Sequence, residues 1–308
     1  MFRASYTREI SRQYPGLFVI LLDQSASMHE KVQGRYRVET KAEIVTRHVN
    51  TIIQELIDHA GVEETNPGIR KKNAYLSVLG YNDNVRPLLS STETPVDIPT
   101  LARHPRAIVP EKREVRDRTG RLLRTITENR TIWIEPDAGL NTNMALAFEH
   151  AMSVVNNWIM HPPELISPDM GLQNPRNECF PPVVINVTDG YFNIGGNPRR
   201  VAEALNRQRT NNGNVLIFNC HFTTENKKPC VFPMNEAEVA GIDPYGRAKD
   251  MFYMSSSIPE PLRERATRTM LRPIEEGARC VIYNADLDNL VRFLRWGTVG
   301  ITPTTGVA

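Results

Sequence analysis

Short, uninterrupted apolar runs alternate along this chain with longer segments whose apolar residues recur at helical spacing. The run at 17–22 (LFVILL) is continuously apolar but too short for a helix, which indicates a strand buried on both faces. The segment 41–57 that follows carries its apolar residues on one helical stripe. Alternation of this kind predicts an α/β fold with a doubly wound, mostly parallel sheet flanked by helices on both faces.

The rest of the chain continues the alternation, and we predict its elements from the same periodicities. We expect strands at 74–81, 84–89, 183–187, 215–219 and 279–283, and helices at 143–159, 197–208, 260–271 and 287–296. Asn197 and Asp286 are the expected N-terminal caps of two helices, and Gly297 is the expected stop of the last one. Pro87 predicts that the strand at 84–89 lies at a sheet edge, because proline cannot donate a ladder hydrogen bond.

Two stretches do not fit the alternation, and we expect them to be additions to a single domain that spans 1–308. The first is 91–135, which we predict to contain an inserted β-hairpin formed by 111–118 and 121–134. The second is the proline-rich segment 161–182, which we predict to be a long loop.

The stretch 103–130 within the first addition is the most basic part of the chain, with nine Lys and Arg against four Asp and Glu. Basic segments bind phosphate backbones or acidic protein surfaces. Trp133 is the only aromatic residue nearby, and so few aromatic side chains argue against stacking on single-stranded bases. We therefore favour docking to an acidic protein surface, and we do not expect nucleic acid as a partner.

Charge, cysteine use and the N-terminal residues predict a cytoplasmic protein. The formal net charge is only +2, so no global field points to nucleic acid or to a membrane surface. The four cysteines contain no CxxC pair and are too few for a disulfide scaffold in 308 residues. Residues 1–16 lack the apolar core of a signal peptide, and no apolar run approaches the roughly 20 residues of a membrane helix. We therefore expect reduced thiols, no membrane span and a cytoplasmic location.

Three separated loops carry oxygen-bearing side chains at the point where a strand ends or a helix begins. Asp23, Ser25 and Ser27 directly follow the first predicted strand. Thr142 opens a predicted helix, and Asp189 directly follows another predicted strand. Because the carboxyl ends of neighbouring parallel strands meet at one edge of an open sheet, we expect these five side chains to lie together.

The five side chains offer two carboxylates and three hydroxyls, which are all hard oxygen ligands. Such a set favours Mg²⁺, Mn²⁺ or Ca²⁺ over zinc or copper, and we expect Mg²⁺. Because only two of the ligands are anionic, a cation held here stays electrophilic, and a free coordination position attracts a carboxylate. We therefore expect a metal site that binds a protein partner through an Asp or Glu of that partner.

The motif resembles the metal-ion-dependent adhesion site of the von Willebrand factor A (vWA) family, with Asp-x-Ser-x-Ser, Thr and Asp in three successive loops. This sequence matches that pattern at Asp23, Ser25, Ser27, Thr142 and Asp189. The resemblance implies a Rossmann-like vWA fold over nearly the whole chain, a complete metal site and a binding module rather than an enzyme. The additions at 91–135 and 161–182 depart from the family pattern.

Three further segments give a finer resemblance within the family. The stretches YNDNVRPLL, MSSSIPEPL and LVRFLRWGT resemble bacterial TerY-like proteins. Proteins of that type are associated with a protein kinase and a protein phosphatase in stress response and phage defence, which implies an adaptor with such partners. An adaptor of a AAA+ ATPase is the alternative that other intracellular members of the family suggest.

A phosphohydrolase and a zinc site are the two alternatives to metal-dependent protein binding. A Mg²⁺-dependent phosphohydrolase needs a positioned base and a basic clamp, and the three loops offer no such His or Lys. Cys220, His221 and Cys230 could ligate zinc, but their spacing is not that of a zinc ribbon, and free cysteines are commonly buried. His29 lies near the first loop, and we expect a solvated neighbour there because Mg²⁺ rarely takes imidazole.

Overall fold

The predicted strands assemble into one sheet of the expected kind. The computed structural model describes residues 6–33, 38–62, 68, 70–90, 94–116, 121–160, 175–243 and 245–298. Its strands are β1 (Gly16–Asp23), β2 (Lys31–Gln33), β3 (Val38–Thr40), β4 (Ala74–Tyr81), β5 (Val85–Pro87), β6 (Val96–Asp97), β7 (Ala107–Arg116), β8 (Leu122–Ile132), β9 (Val183–Thr188), β10 (Arg209–Thr210), β11 (Gly213–Asn214), β12 (Leu216–Phe222), β13 (Cys230–Val231) and β14 (Val281–Ala285). Its α-helices are α1 (Lys41–His59), α2 (Ile98–Arg103), α3 (Met144–Met160), α4 (Arg199–Arg207), α5 (Arg247–Met254), α6 (Glu260–Met270) and α7 (Leu287–Gly297).

The main sheet has eight strands within the described part of the chain, and seven of them follow the order β13-β14-β12-β9-β1-β4-β5. The five central strands, from β14 to β4, all run parallel. Short antiparallel strands close both ends, with β13 on β14 and with β5 and β6 on β4. Pro87 pairs in the edge strand β5, which confirms the position predicted from its missing N–H.

Alternate side chains of the central strands feed two separate apolar layers. In β1, Phe18 and Ile20 pack into one layer, whereas Val19 and Leu21 pack into the other. The first layer is covered by α1, α2, α6 and α7, and the second by α3, α4 and α5. Strands covered on both faces read as continuous apolar runs, which is why the sequence pattern identified them. The doubly wound α/β class is therefore confirmed.

The carboxyl ends of three neighbouring strands place the three predicted loops side by side. β1 lies between β4 and β9 in the sheet. In the parallel register Asp23 aligns with Tyr81 of β4, and Leu22 aligns with Val187 of β9. The residue that follows Val187 is Thr188, so Asp23 has Tyr81 on one side and Thr188 on the other. This edge of the sheet carries the candidate site.

A capping box that the sequence analysis did not identify fixes the start of α1. The Thr40 hydroxyl accepts a hydrogen bond from Glu43 N at 3.1 Å, and the Glu43 carboxylate accepts one from Thr40 N at 2.7 Å. The two bonds satisfy backbone N–H groups that a helix start otherwise leaves unpaired. They also make Lys41 the first residue of α1.

Several element ends differ from the predicted bounds. Gly297, the expected stop of the last helix, is instead its final residue. A Cβ at that position would lie 2.8 Å from Ile185 Cδ1, so glycine serves the close packing of α7 on the sheet. The helix expected from Asn197 begins at Arg199, whose N–H donates to Asn197 Oδ1 at 2.8 Å. Helix ends are the least reliable part of a sequence-based assignment.

The predicted inserted hairpin is confirmed, with a longer first strand than expected. β7 begins at Ala107 rather than 111, because its first residues already pair with the end of β8. Directly after the hairpin, Trp133 and Ile134 are buried in the first apolar layer. Trp133 Nε1 also donates a hydrogen bond to Leu101 O at 2.8 Å. The root of the hairpin is therefore anchored, while β7 and β8 form a sheet of their own.

Other parts of the two expected additions join the main body or lie outside the description. Within 91–135, β6 pairs with β4, and α2 buries Ile98 and Leu101 against the sheet. Of the expected loop 161–182, residues 161–174 lie outside the described residues, and a short 3-10 helix follows at Pro175–Glu178.

Candidate metal centre

Asp23 is the buried carboxylate at the end of β1. It is only 2 % exposed, and its Oδ1 accepts a hydrogen bond from Ser25 N at 2.8 Å. Its Oδ2 accepts one from the Thr188 hydroxyl at 2.5 Å. Burial raises the pKa of Asp23 to about 6, since the hydrogen bonds from Thr188 and Ser25 offset only part of the desolvation and the charge of Asp189 adds to it. A nearby cation would strongly stabilise the ionised form of a carboxylate that is buried in this way.

Two serine hydroxyls connect the first loop to the third. Ser27 Oγ donates to Asp189 Oδ1 at 2.7 Å. Ser25 Oγ and Ser27 Oγ lie 3.1 Å apart and share a hydrogen bond. The structure therefore brings together Asp23, Ser25, Ser27 and Asp189, four of the five predicted ligands, although 162 residues separate Ser27 from Asp189.

The second loop is joined to the first through backbone hydrogen bonds. Ala26 N donates to Leu140 O at 3.0 Å, and Gly139 N donates to Gln24 O at 2.7 Å. Thr142, the fifth predicted ligand, follows this junction and is 5 % exposed. Its N–H donates to Asn193 Oδ1 at 2.8 Å, which ties the loop that carries Thr142 to the segment after Asp189. All three predicted loops are thus hydrogen-bonded to one another.

Lys41 is a charged residue of the site that the sequence analysis missed. Its Nζ lies 3.0 Å from Asp189 Oδ2 and also pairs with Glu30. The Lys41 side chain is 8 % exposed and that of Asp189 is 0 % exposed. Burial opposes the charged form of Lys41, but the hydrogen bond to Glu30 and the charge of Asp189 outweigh it and raise its pKa. Lys41 thus supplies positive charge that lets the two aspartates stay close together.

Two sequence signals point to Lys41 and Thr188 in retrospect. A lysine in the first turn of a helix faces the positive end of the helix dipole, so Lys41 is unfavourable there unless a nearby anion needs it. Thr188 directly precedes Asp189, and its hydroxyl binds Asp23 and also accepts from Gly190 N at 3.1 Å. Neither signal identifies a site residue from the sequence alone, because both roles depend on contacts between segments that are distant in the sequence.

The donor set fits a hard divalent cation. Carboxylate and hydroxyl oxygens converge from Asp23, Ser25, Ser27 and Asp189, and such ligands suit Mg²⁺, Mn²⁺ or Ca²⁺. Among the described residues, no three His, Cys, Asp or Glu side chains are grouped so that they could hold a metal ion. A site with only two carboxylates, completed by hydroxyls, falls outside that pattern.

The zinc alternative does not match the structure. Cys220 is fully buried in the first apolar layer, whereas Cys230 packs against the second, on the opposite face of the sheet. His221 Nδ1 accepts a hydrogen bond from Asn284 N at 3.1 Å, and its ring stacks on Tyr191. Burial lowers the pKa of His221 to about 4, so the imidazole is a neutral packing residue. His29 is exposed, as expected for a solvated neighbour.

Comparisons with known proteins give similar folds only. No protein-family model and no curated protein matches the chain. Among solved structures, proximal thread matrix protein 1 from the mussel byssus is 12% identical with a TM-score of 0.44, and the match covers 95% of this chain and 49% of that one. The ArnB paralog VWA2 from Sulfolobus acidocaldarius is 12% identical with a TM-score of 0.34, over 70% and 36% of the two chains.

A von Willebrand factor type A structure from Catenulispora acidiphila is 13% identical with a TM-score of 0.35, over 82% of this chain and 45% of that one. The chain therefore spans about half or less of the length of these structures. Another structure of the mussel protein has zinc in its metal-ion-dependent adhesion site (MIDAS) motif. Separately, none of the helices in the described ranges has both the length and the apolar character that crossing a bilayer requires.

Proposed function

We propose that this chain is a vWA-type module that binds a protein partner through a divalent cation, Mg²⁺ in the cell, held by Asp23, Ser25, Ser27, Thr142 and Asp189. The observation that carries the proposal is the hydrogen bond from Ser27 to Asp189, which joins two loops far apart in the sequence at one sheet edge. Four of the five side chains that the motif singled out are linked there by hydrogen bonds, and Thr142 lies on a loop that is bonded to the same segments. Mn²⁺ and Ca²⁺ suit the same oxygen ligands.

The charges around the site favour attraction of an anionic partner. When bound, the cation supplies a Lewis-acidic centre that attracts a carboxylate. The chain's own hydroxyls at Ser25 and Ser27 add no negative charge, and Lys41 already compensates Asp189. The site therefore does not neutralise the cation fully, and an Asp or Glu side chain of a partner completes the charge balance.

Leu140 provides an apolar contact next to the metal loops. Its side chain is 61 % exposed, and its backbone φ of 65° lies in the left-handed region that a leucine rarely adopts. The conformation is maintained by the hydrogen bond from Ala26 N to Leu140 O. Strained residues of this kind persist where the surroundings hold them and are frequent in ligand-binding segments. We assign Leu140 to the surface that meets the partner.

Binding rather than catalysis is the function that we propose for this site. A phosphohydrolase needs a basic group free to contact the phosphoryl oxygens. Lys41 is the basic side chain bonded directly to the proposed ligands, and it is buried and paired with both Asp189 and Glu30. With its ammonium committed to two carboxylates, Lys41 does not act as a phosphate clamp.

For the biological setting we propose an adaptor in a bacterial stress-response or phage-defence system, acting in the cytoplasm with a kinase and a phosphatase. This proposal is supported by the resemblance of three segments to TerY-like proteins. The alternative is an adaptor of a AAA+ ATPase. Purified candidates of each class, bound to the immobilised chain, distinguish the two settings.

The test of the proposed function compares partner retention by the wild type, Asp23→Ala and Asp286→Ala on a column. Asp286 caps α7 and is not one of the proposed ligands, so Asp286→Ala controls for loss of a carboxylate. We expect a candidate partner to be retained by the wild type and Asp286→Ala in Mg²⁺ and to be released by EDTA. Asp23→Ala should retain nothing. Retention that survives both EDTA and Asp23→Ala contradicts the proposal.

A further inference from the structure

A continuous row of buried polar side chains crosses the sheet directly beneath the candidate metal centre. The Tyr81 hydroxyl donates to Asn186 Oδ1 at 2.9 Å, and Asn186 Nδ2 donates to Asn219 Oδ1 at 3.0 Å. Asn219 Nδ2 then donates to Ser255 Oγ at 2.9 Å, and that hydroxyl donates to Met251 O at 2.8 Å. The row runs from β4 across β9 and β12 to the C-terminal end of α5.

Every side chain in this row is buried inside an otherwise apolar layer. Tyr81, Asn186 and Asn219 are 0 % exposed, and Ser255 is 2 % exposed. Burying polar groups is costly unless each is hydrogen-bonded, and aliphatic residues would fill the same space without that cost. Four buried polar side chains in one row therefore indicate a role beyond packing.

All donors in the row point away from the metal loops. Tyr81 gives its only proton to Asn186. Thr188 lies two residues after Asn186 on β9, and alternate residues of a strand share a face. Tyr81 lies beside Asp23 in the register of β1 and β4, and the Thr188 hydroxyl donates its proton to Asp23 Oδ2 at 2.5 Å. The row thus reaches Thr188 and Asp23.

Asn186 also contacts the helix that follows the second metal loop. Its Nδ2 lies 3.8 Å from Met144 Sδ, and Met144 is the first residue of α3, just after Thr142. One buried amide therefore touches β4 through Tyr81 and α3 through Met144. Its own strand ends at Thr188, next to Asp189. Asn186 therefore links β4 and α3 to the strand that leads to Asp189.

We propose that the row Tyr81–Asn186–Asn219–Ser255 positions the metal ligands by fixing the end of β9 that carries Thr188 and, through the Thr188 hydroxyl, the Asp23 carboxylate. Tyr81 and Asn186 are positioning residues, and they reach the cation only through other side chains. The inference rests on the proposed metal site. It extends the site from the loops that the motif defines to two further strands, β4 and β12, and to the C-terminal end of α5.

The structure offers a matched pair of tyrosines for the test. Tyr81 and Tyr283 are both 0 % exposed, and the hydroxyl of each donates one hydrogen bond. Tyr283 donates to Ala248 O at 2.5 Å, outside the row. Tyr81→Phe and Tyr283→Phe each remove one buried hydroxyl and leave the ring in place. Their effects on folding should be similar, and only Tyr81→Phe breaks the row.

The experiment measures Mn²⁺ binding to the full chain by isothermal titration calorimetry, together with urea unfolding of the metal-free protein. We expect Tyr81→Phe to weaken Mn²⁺ binding about tenfold, the range usual for partners of metal ligands. Tyr283→Phe should bind Mn²⁺ as the wild type does, at a similar loss of stability. Ser255→Ala, at the far end of the row, should weaken binding about twofold to threefold.

Each outcome decides between the two proposals. If the wild type binds Mn²⁺ but Tyr81→Phe binds it equally well, the positioning role is overturned and the metal site stands. If the wild type takes up no Mn²⁺, the proposed function fails and the row positions nothing. If Tyr81→Phe does not fold, Ser255→Ala decides, and unchanged Mn²⁺ binding by that variant overturns the role.

Discussion

Folded proteins usually bury apolar side chains and expose charged ones. The carboxyl edge of the sheet and the β7–β8 hairpin depart from this rule in opposite directions. At the edge, charged and polar side chains such as Asp23 and Lys41 are buried. On the hairpin, apolar side chains are exposed, with Ile108 at 60 % and Leu123 at 62 %. Each reversal carries a cost in stability, and the structure offsets the two costs in different ways.

At the sheet edge the cost is offset by partners inside the molecule, because Asp23 accepts from Thr188 and Asp189 accepts from Ser27, in each case across two loops. The described part of the hairpin is held by its own ladder and by the anchor at Trp133. Isolated two-stranded hairpins are marginally stable in water. The site is therefore rigidly built into the fold, whereas the hairpin is an appendage that can be changed independently.

The largest expected effect separates the root of the hairpin from its arm. Trp133→Ala should lower the free energy of unfolding by about 3–5 kcal/mol, because it removes a buried ring and leaves Leu101 O without its donor. Leu123→Ala, on the exposed arm, should change it by less than about 0.5 kcal/mol. Urea unfolding of both variants measures the difference. Equal losses for the two would mean that the arm is as much part of the core as its root.

A second change tests whether the buried charges of the site balance one another. Lys41→Met removes the ammonium group that pairs with Asp189. In EDTA, this change should lower the free energy of unfolding by about 3 kcal/mol. Because a positive charge near the metal is removed, Mn²⁺ affinity should rise about tenfold. Unfolding with and without Mn²⁺ measures both effects.

The control for that change is Lys249→Met, which breaks the exposed pair between Lys249 and Glu236. It should leave stability and Mn²⁺ binding almost unchanged, because exposed ion pairs contribute little. If Lys41→Met weakened Mn²⁺ binding instead, the result would mean that Lys41 helps the site to bind the metal. It would contradict the expectation that the charge of Lys41 opposes Mn²⁺ binding.

A third test uses a buried polar group that, unlike those of the site, lacks a partner. His48 Nε2 on α1 is buried without a hydrogen-bond partner, and burial, together with the charge of Arg47, lowers the pKa of His48 to about 4. The unfolded chain takes up this proton near pH 6.5, so stability present above that pH is lost as the pH falls towards 4. From pH 7 to pH 5 the wild type should lose about 1–2 kcal/mol more than His48→Gln. Parallel losses in urea titrations at the two pH values would contradict this.

The smallest expected effect comes from shortening the arm. Replacing 110–129 by Asn-Gly keeps the pairs from Ala107–Ile132 to Val109–Arg130 and closes them with a tight turn. Stability should change by less than about 1 kcal/mol, and Mn²⁺ affinity should stay unchanged. A large loss of Mn²⁺ binding would show that the arm supports the site. A loss of binding to an acidic protein partner alone would support the docking role that we favour for the basic stretch.

The sequence predicted the edge of the sheet better than it predicted the contacts within the site. Continuous apolar runs identified the buried parallel strands, and parallel strands place their carboxyl ends together whatever the details of packing. That topology alone placed the loop of Asp23 beside the loop of Asp189. The motif then selected the serines and Thr142 by type and order.

Lys41, Thr188 and the polar row could not be predicted in the same way. Each depends on which side chain faces which across strands that are far apart in the sequence, and periodicity gives the face but not the neighbour. Asn186 lies in the run VVINV, where one polar residue in a buried strand was the visible signal. The hairpin bounds were less accurate because the strand ends of an exposed two-stranded ladder carry little apolar pattern.

The most direct test of the account is calorimetric titration of the metal-stripped chain with Mn²⁺, for the wild type, Asp23→Ala and Asp286→Ala. The account predicts that the wild type and Asp286→Ala each bind a single Mn²⁺ ion per chain and that Asp23→Ala binds none. It is contradicted if the wild type takes up no Mn²⁺, or if Asp23→Ala binds it as tightly as the wild type.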